Sequence, residues 1–474
     1  MHKEKEKRPQ RVQRKTVIIK MKEGLTIEHP NAAGIDVGDT EFSVGFRLKE
    51  GGYQVRTYGT FTHDLDCIVK DLQEAGITTV SMESTGVYYV PLYLKIEAAG
   101  IEPYLVNARH AKNVTGRKHD DSDAIWLQKL HTCGLLQKSF QPADNARAFR
   151  DLVRQRRKLV IAGGDQARKM QRALELMNVK IHTVISDLLG KTGLSIVKAI
   201  IDGEQDATKL AALADKRVHA SVEEIVLSLE GIWRDEHLFV LKQSYEAYEF
   251  YQKQMRECDE KIKAQLNKMT AIVQDGEIYN DDEKVAPVED SKTAEEAKTP
   301  KPKKKAVKNQ FNFDVRSHMA KVLGTDLCDL VGISDTTVLE LIAEIGTDIS
   351  QWKNEKRFNG WLNLCPNTKI SGGKVISSRV MKKKNYAGLT LRMAAMTVAR
   401  SKTPLGDYYR RMRGKLGGKG AVVATANKMA RIIYQMLKEQ IPYDKTLLEK
   451  ATDKNVAKQI AYHERKIAEY KKTA

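Results

Sequence analysis

Four acidic residues stand at positions where a charge in a folded protein needs a partner. Asp36 interrupts a short apolar run, and Glu83 ends a later one. A carboxylate in a buried strand is costly unless it is paired or coordinated. Asp120 and Asp123 are three residues apart, so their side chains share one face if a helix begins there. Two carboxylates that close together repel each other unless a cation lies between them.

These acids predict a site for a hard divalent cation. Ligation by carboxylate oxygens alone suits Mg²⁺ or Mn²⁺ and not zinc. One such ion, or two about 3.5–4 Å apart, would stabilise the attacking and leaving oxygens of an in-line phosphoryl transfer. Another interpretation stays open for Asp120 and Asp123, because Asp is also common at helix starts, as an N-cap or as a charge that favours the helix dipole.

The residues around these acids predict a mixed sheet that would bring them together. Apolar alternation and helical periodicity predict a first strand around Asp36, strands at 41–47 and 53–61, a helix at 64–75, a strand at 78–83, a helix at 90–99 and a strand at 102–107. Three strands joined by hairpins, followed by strand–helix alternation, is the order of a ribonuclease-H-like (RuvC-like) α/β sheet. In such a sheet the strands of Asp36 and Glu83 are neighbours, and the Asp120 helix packs across them.

Length and charge indicate a multidomain protein with a polyanionic partner. The chain has 474 residues, with 80 Lys and Arg against 61 Asp and Glu, a formal charge of +19. We expect two or three domains and nucleic acid as the partner. The five cysteines lack CxxC spacing, which argues against a zinc site and a disulfide framework. No apolar run is long enough to span a membrane, and the charged N-terminus is unlike a signal peptide, so the sequence predicts a cytoplasmic protein without a membrane partner.

Composition divides the chain into six segments. The prediction is a basic flexible arm at 1–30, the RuvC-like domain at 31–141, a helical coiled-coil region at 142–267, a charged disordered insertion at 268–310, a mostly α-helical C-terminal domain at 311–445 and a basic helix or tail at 446–474. In the middle region, Arg147, Arg150, Arg154 and Arg157 form one helical stripe, which is either a solvated face or a surface that follows phosphates. A heptad-like seam from Leu241 to Leu266 either packs within the chain or pairs two chains.

The C-terminal domain contains further cationic segments. Ser371 lies in a polar loop with Gly372–Gly373, flanked by Lys369 and Lys374. A segment of interleaved tyrosines and arginines, 408–413, is predicted between two helices, where it suits contacts with nucleic acid. The residues predicted to contact nucleic acid are Arg117, Lys118, Arg147, Arg150, Arg154, Arg157, Lys369, Lys374, Arg379, Lys382, Lys383, Arg410 and Arg411.

Several motifs together resemble one family of mobile-element enzymes. Ala33-Gly34-Ile35-Asp36-Val37-Gly38, Met82-Glu83-Ser84-Thr85-Gly86 and the Arg117–Ala124 segment are similar to the DEDD transposases of the insertion-sequence 110 family, as are the Pro366–Gly372 segment and the 391–434 tail. The likeness covers about residues 31–190 and 311–440. The order and spacing of the motifs carry it.

The resemblance implies a RuvC-like domain, a coiled-coil dimerisation region and a separate C-terminal transposase domain. It implies recombination of double-stranded target and donor DNA, guided by a structured (bridge) RNA. The enzyme would be a homo-oligomer, either a dimer or a tetramer. It would work in a prokaryotic cytoplasm and associate with the nucleoid when active. The resemblance also implies that Asp36, Glu83, Asp120 and Asp123 are catalytic acids that hold Mg²⁺. A catalytic serine forms a covalent link to DNA, and the Pro-x-x-x-x-Ser-Gly pattern places it at Ser371. Ser377 and Ser378 are the alternatives.

Two other functions are compatible with parts of this pattern. A metal-dependent junction-resolving nuclease would use the same acids with water as its nucleophile, and would not need Ser371. A non-catalytic RNA-binding scaffold would keep the fold without cleaving DNA. Trapping a denaturation-resistant protein–DNA adduct separates the serine recombinase from both.

Overall fold

A computed structural model describes residues 13–17, 26–48, 52–107, 123–142, 144–273, 309–381, 385–444, 446, 460–461 and 464–465, with residues 13–17, 144 and 271–273 described by their backbone alone. The chain divides into two compact units, residues 1–141 and 142–474. In the part of the chain that the structure describes, no helix is both long and apolar enough to cross a membrane.

The first unit is built on a six-stranded mixed sheet. Its strands are β1 (Gln13–Val17), β2 (Ala32–Val37), β3 (Phe42–Arg47), β4 (Tyr53–Tyr58), β5 (Thr79–Glu83) and β6 (Glu102–Val106). Their spatial order is β1-β4-β3-β2-β5-β6, with the first four antiparallel and β2, β5 and β6 parallel. The predicted ribonuclease-H-like order is confirmed. The interpretation of residues 1–30 as a flexible arm is wrong for Gln13–Val17, which pair with β4 as an edge strand.

Helices cover both faces of this sheet. They are α1 (Thr62–Glu74), α2 (Tyr89–Ala98) and α3 (Asp123–Thr132). The main core lies on the face that carries Ile35, Val44 and Met82, and it includes Ile68 of α1 and Ile96 of α2. Apolar residues at a spacing of two in the strands and three to four in the helices produce this layer.

A buried histidine lies at the C-terminal end of α3. The His131 ring stacks on His29, with their centroids 4.6 Å apart, and its Nε2 lies 2.9 Å from Thr79 Oγ1. Burial, and after it the neighbouring charge of His29, lower the pKa of His131 to about 4, although Glu102 opposes the shift. His131 is therefore neutral in the folded unit near neutral pH.

We expect the first unit to lose stability as the pH falls from about 6.5 to about 4. Over this range the unfolded chain protonates His131 and the folded unit does not, which removes up to about 3 kcal/mol. Guanidinium unfolding followed by circular dichroism at pH 7 and pH 5 measures the change. Replacing His131 by Gln should reduce the difference, and an unchanged difference would show that other groups control it.

The second unit begins with two long helices packed side by side. Its first helices are α4 (Asp144–Leu176), α5 (Ile181–Val184), α6 (Lys191–Ile201), α7 (Ala207–Ala211), α8 (Val222–Leu229) and α9 (Asp235–Val273). Leu241, Met255, Ile262 and Leu266 of α9 are buried, and α9 packs against α4. The heptad-like seam therefore packs within the chain. Asp259, which interrupts it, is buried and forms an ion pair with Arg156 of α4.

The remainder of the second unit is helical with one small hairpin. It contains α10 (Val315–Leu323), α11 (Asp335–Ile345), α12 (Glu355–Trp361), β7 (Lys369–Ser371), β8 (Lys374–Ser377), α13 (Tyr386–Val398) and α14 (Pro404–Glu439). The prediction that residues 408–413 lie between two helices is wrong. They belong to α14, which starts at Pro404 behind the capping hydroxyl of Thr403 and has non-helical backbone at Gly417.

Candidate active site

Asp36 and Glu83 lie side by side on the sheet. The parallel register aligns Ile35 with Met82, which places Asp36 and Glu83 at the same level of neighbouring strands, about 4.8 Å apart in backbone position. Both side chains are half-buried. Because side chains alternate between the faces of a strand, both acids point away from the core that holds Ile35 and Met82. This arrangement matches the prediction that the two strands are neighbours.

Helix α3 lies against the face that carries the two acids. A Cβ atom on Gly34 would lie 2.2 Å from the Ala124 carbonyl oxygen, and one on Gly45 would lie 2.9 Å from the same atom. The amide of Gln128 donates to the Ala32 carbonyl, 3.2 Å away. The helix therefore runs antiparallel to β2, and only glycines at these two sheet positions permit so close an approach.

This packing places the start of α3 near the C-terminal end of β2, where Asp36 lies. Asp36 follows Gly34 by two residues on the same face, and Asp123 precedes Ala124 as the first residue of the helix. Asp123 is half-buried, like Asp36 and Glu83. The structure thus directs three of the four predicted acids to one edge of the sheet. Asp120 lies outside the described residues.

The three acids do not by themselves complete a metal site. Among the described residues, no three Asp, Glu, His or Cys side chains are grouped closely enough to hold an ion. The donor set is nevertheless all carboxylate, and two of its members are neighbours at a half-exposed sheet edge, which fits Mg²⁺ or Mn²⁺. Asp36, Glu83 and Asp123, with Asp120, are the residues that would hold the ion.

Ser371 lies at the end of an exposed β-hairpin. Strands β7 and β8 are joined by Gly372 and Gly373, whose φ values of 54° and 74° suit a tight two-residue turn. The sequence interpretation of this segment as a polar loop missed the hairpin. Ser371 pairs directly with Lys374, so the two side chains share one face, with Cβ atoms about 5 Å apart.

The hairpin has a polar face and an apolar face. Lys369 precedes Ser371 by two residues and joins it and Lys374 on one side. Ile370 and Val375 pair on the other side, and both are more than half exposed. The serine hydroxyl therefore lies on the face that carries two lysines, at a position open to a large substrate.

The arginine stripe of α4 makes contacts within the chain. Arg154 donates two hydrogen bonds of 2.7 Å to the Glu344 carboxylate, and Arg157 lies 3.8 Å from Glu340. Both guanidinium groups also lie over the Tyr386 ring. Arg147 and Arg150 are half-buried on the same side of the helix. These acidic partners compensate part of the charge, and the predicted contact of the stripe with nucleic acid stays a prediction.

The other cations predicted to contact nucleic acid differ in their surroundings. Arg410 donates to the carbonyls of Ala399 and Ser401, at 3.1 and 2.9 Å, and pairs with Asp407, so it anchors the turn between α13 and α14. The Arg411 guanidinium lies over the Tyr408 ring. Arg379 is exposed near the base of the hairpin, where its carbonyl accepts from the Asn367 amide. Arg117, Lys118, Lys382 and Lys383 lie outside the described residues.

Sequence reasoning missed two cations of α14, Lys428 and Arg431. They lie one helical turn apart and line a groove with Tyr408. Their spacing of three predicts that they share one face of a helix. The contact with Tyr408 could not be predicted from spacing, because Tyr408 lies 20 residues before Lys428.

Two models of transposase families match the chain. Residues 33–179 match the DEDD transposase model of IS110 elements, described as a transposase, and residues 325–410 match the transposase model of the IS116/IS110/IS902 family. The chain belongs to the IS110 family of transposases. The family assignment predicted from the motifs is confirmed. No curated protein matches the chain at a significant level.

An IS110-family transposase acts on DNA and moves an insertion sequence, so this chain is a DNA transposase. The first match spans the strands of Asp36 and Glu83 and helix α3, and the second ends within α14. DEDD transposases typically use a divalent metal. The hairpin of Ser371 lies inside the second match.

Proposed function

We propose that this transposase is an RNA-guided recombinase, which cuts and rejoins double-stranded DNA through Ser371 and uses a Mg²⁺ site formed by Asp36, Glu83, Asp120 and Asp123. The observation that carries the proposal is the hairpin, which exposes Ser371 on a face shared with Lys369 and Lys374. A turn serine with a purely structural role has no need of two ammonium groups beside it.

The chemistry of the hairpin residues follows from their placement. The Ser371 hydroxyl attacks a backbone phosphorus, a serine–phosphate ester bond forms, and one phosphodiester bond to a deoxyribose oxygen breaks. The hydroxyl proton leaves to a base, and the released deoxyribose oxygen takes up a proton. Lys369 and Lys374 hold the phosphate and stabilise the negative charge that develops on it. A second attack by a deoxyribose hydroxyl reverses the ester bond and rejoins the strand.

The acids of the sheet edge have a different task. A divalent cation bound there would neutralise charge on the phosphate oxygens. Asp36 and Glu83, held at the same level by the β2–β5 register, and Asp123 at the start of α3 would supply carboxylate oxygens to that cation. The acids and Ser371 belong to different compact units, and the proposal includes a homo-oligomer in which different subunits supply them.

RNA guidance accounts for the excess of positive charge. A protein with a formal charge of +19 can bind the backbones of both RNA and DNA, while base pairing with the guide reads the sequence. The guide, by this proposal, is encoded in the noncoding DNA beside the gene.

The test combines the purified full chain, Mg²⁺ and a labelled duplex that carries the junction of the element, with or without RNA transcribed from the flanking noncoding DNA. We expect a protein–DNA adduct that survives denaturation, and only when the RNA is present. Cut DNA without an adduct would support a nuclease that uses water. An adduct that forms equally well without RNA would overturn the guided mechanism.

A further inference from the structure

A groove on α14 gathers several cations around one aromatic ring. Tyr408, Asn427, Lys428 and Arg431 line it, together with Glu355 of α12, and its volume is about 390 Å³. The Lys428 ammonium lies 4.7 Å from the centre of the Tyr408 ring, and the Arg411 guanidinium lies 5.4 Å from it. Lys428 and Arg431 therefore face a volume large enough for a phosphate and its sugar, and Arg411 lies next to the ring that lines it.

The charges in this groove are not balanced by the described residues. Arg431 pairs with Glu355, but in the part of the chain that the structure describes no carboxylate forms an ion pair with Lys428 or Arg411. Burial lowers the pKa of Lys428, and the neighbouring Arg411 and Arg431 lower it further. A half-buried ammonium beside two guanidinium groups is destabilising on its own. An anion in the groove would relieve that repulsion.

The polar groups favour a phosphodiester over a smaller anion. Cationic side chains gathered around an aromatic ring are the elements that bind a nucleic-acid strand, with the charges on the backbone phosphates and the ring beside them. Glu355 stands at the edge of the groove and holds Arg431 in place. Arg431 therefore keeps a fixed position without removing the net positive charge.

The groove also lies at the foot of the serine hairpin. The Asn427 amide donates to the Leu364 carbonyl, 3.2 Å away, and lies 3.6 Å from Cys365 Sγ. Ser371 follows Cys365 by six residues, so at about 3.4 Å per residue it lies within about 20 Å of that contact. One strand of B-DNA advances 3.4 Å per nucleotide, and the same distance corresponds to about six nucleotides.

We infer that Tyr408, Arg411, Lys428 and Arg431 form a site for a backbone phosphate of the DNA, which holds the strand within about six nucleotides of the phosphate that Ser371 attacks. This inference deepens the proposed function and rests on it for the role of Ser371. The binding site itself can be tested without any cleavage.

The experiment compares Lys428→Gln with Lys438→Gln in the full chain, without divalent metal so that no strand is cut. Lys438 is exposed at the end of the same helix, about 15 Å away along its axis, and its replacement removes the same charge. The measurement is the affinity for a 30-base-pair DNA duplex, about 30 base pairs being enough to cover the site, over a range of salt concentrations. Thermal unfolding of each variant checks that the fold is retained.

We expect Lys428→Gln to weaken DNA binding about tenfold and to reduce the slope of log affinity against log salt by about 0.9, the value for one lost phosphate contact. Lys438→Gln should leave the slope unchanged, and Lys428→Arg should restore it. Equal slopes for the two glutamine variants would overturn the inference. A loss seen with an RNA duplex of the same sequence and not with DNA would overturn the assignment to DNA.

Discussion

Replacing Asp36 by Asn is expected to abolish Mg²⁺-dependent strand cleavage, lowering its rate by at least about a hundredfold, while folding and RNA binding stay intact. The amide has nearly the shape of the carboxylate but no charge, and a bound cation contributes several kcal/mol to the transition state. Asp36 lies half-buried at the end of β2, so the exchange should leave the core of Ile35 and Met82 in place. Cleavage of a labelled duplex on a denaturing gel measures the effect.

Asp39 offers a matched control for this experiment. It is an exposed acid three residues after Asp36, beyond the end of β2, and Asp39→Asn removes the same charge. We expect this variant to cleave at close to the wild-type rate. Normal cleavage by Asp36→Asn, with its melting temperature unchanged, would contradict the metal role of Asp36.

Replacing Ser371 by Ala is expected to eliminate the covalent protein–DNA adduct. The hydroxyl is the atom that forms the ester bond, and its loss leaves Lys369 and Lys374 in place to bind the phosphate. The exposed hairpin has no buried packing around Ser371, so the variant should fold and bind DNA as the wild type does. The measurement is the fraction of labelled DNA that migrates with the protein after denaturation.

Ser378 supplies the control, because it is an exposed serine just beyond the same hairpin. Ser378→Ala should form the adduct normally. If the adduct survives in Ser371→Ala and disappears in Ser377→Ala or Ser378→Ala, the nucleophile lies on β8 or just after it. If no variant changes a cleavage reaction that never yields an adduct, water is the nucleophile.

The sequence predicted the sheet because local patterns determine it. Alternating apolar residues in β3 and β4 and helical periodicity in α1 gave the order of the elements, and the order gave the neighbouring positions of Asp36 and Glu83. What the pattern could not supply was the depth at which α3 packs. That depth depends on Gly34 and Gly45 facing each other across two strands, a pairing that only the register shows.

The contacts that the sequence did not predict join residues far apart in the chain. Arg154 and Glu344 are 190 residues apart, so the acidic partner of the stripe could not be identified from spacing. The charges of segment 408–413 mask its helical pattern, whereas Pro404 in the first turn of α14 is the residue that marks the start of the helix. The Gly372–Gly373 pair indicates a turn. The strands on either side of it are too short and too exposed to show an alternation of apolar and polar residues, so the sequence does not predict them.

The most direct test of the whole account is the affinity of the full chain for Mn²⁺, measured by titration calorimetry without nucleic acid. We expect Asp36→Asn and Glu83→Gln each to weaken binding at least about tenfold, because each removes one charged ligand, whereas Asp39→Asn should not. Equal Mn²⁺ affinities for the wild type and all three variants would contradict a metal site at this edge of the sheet.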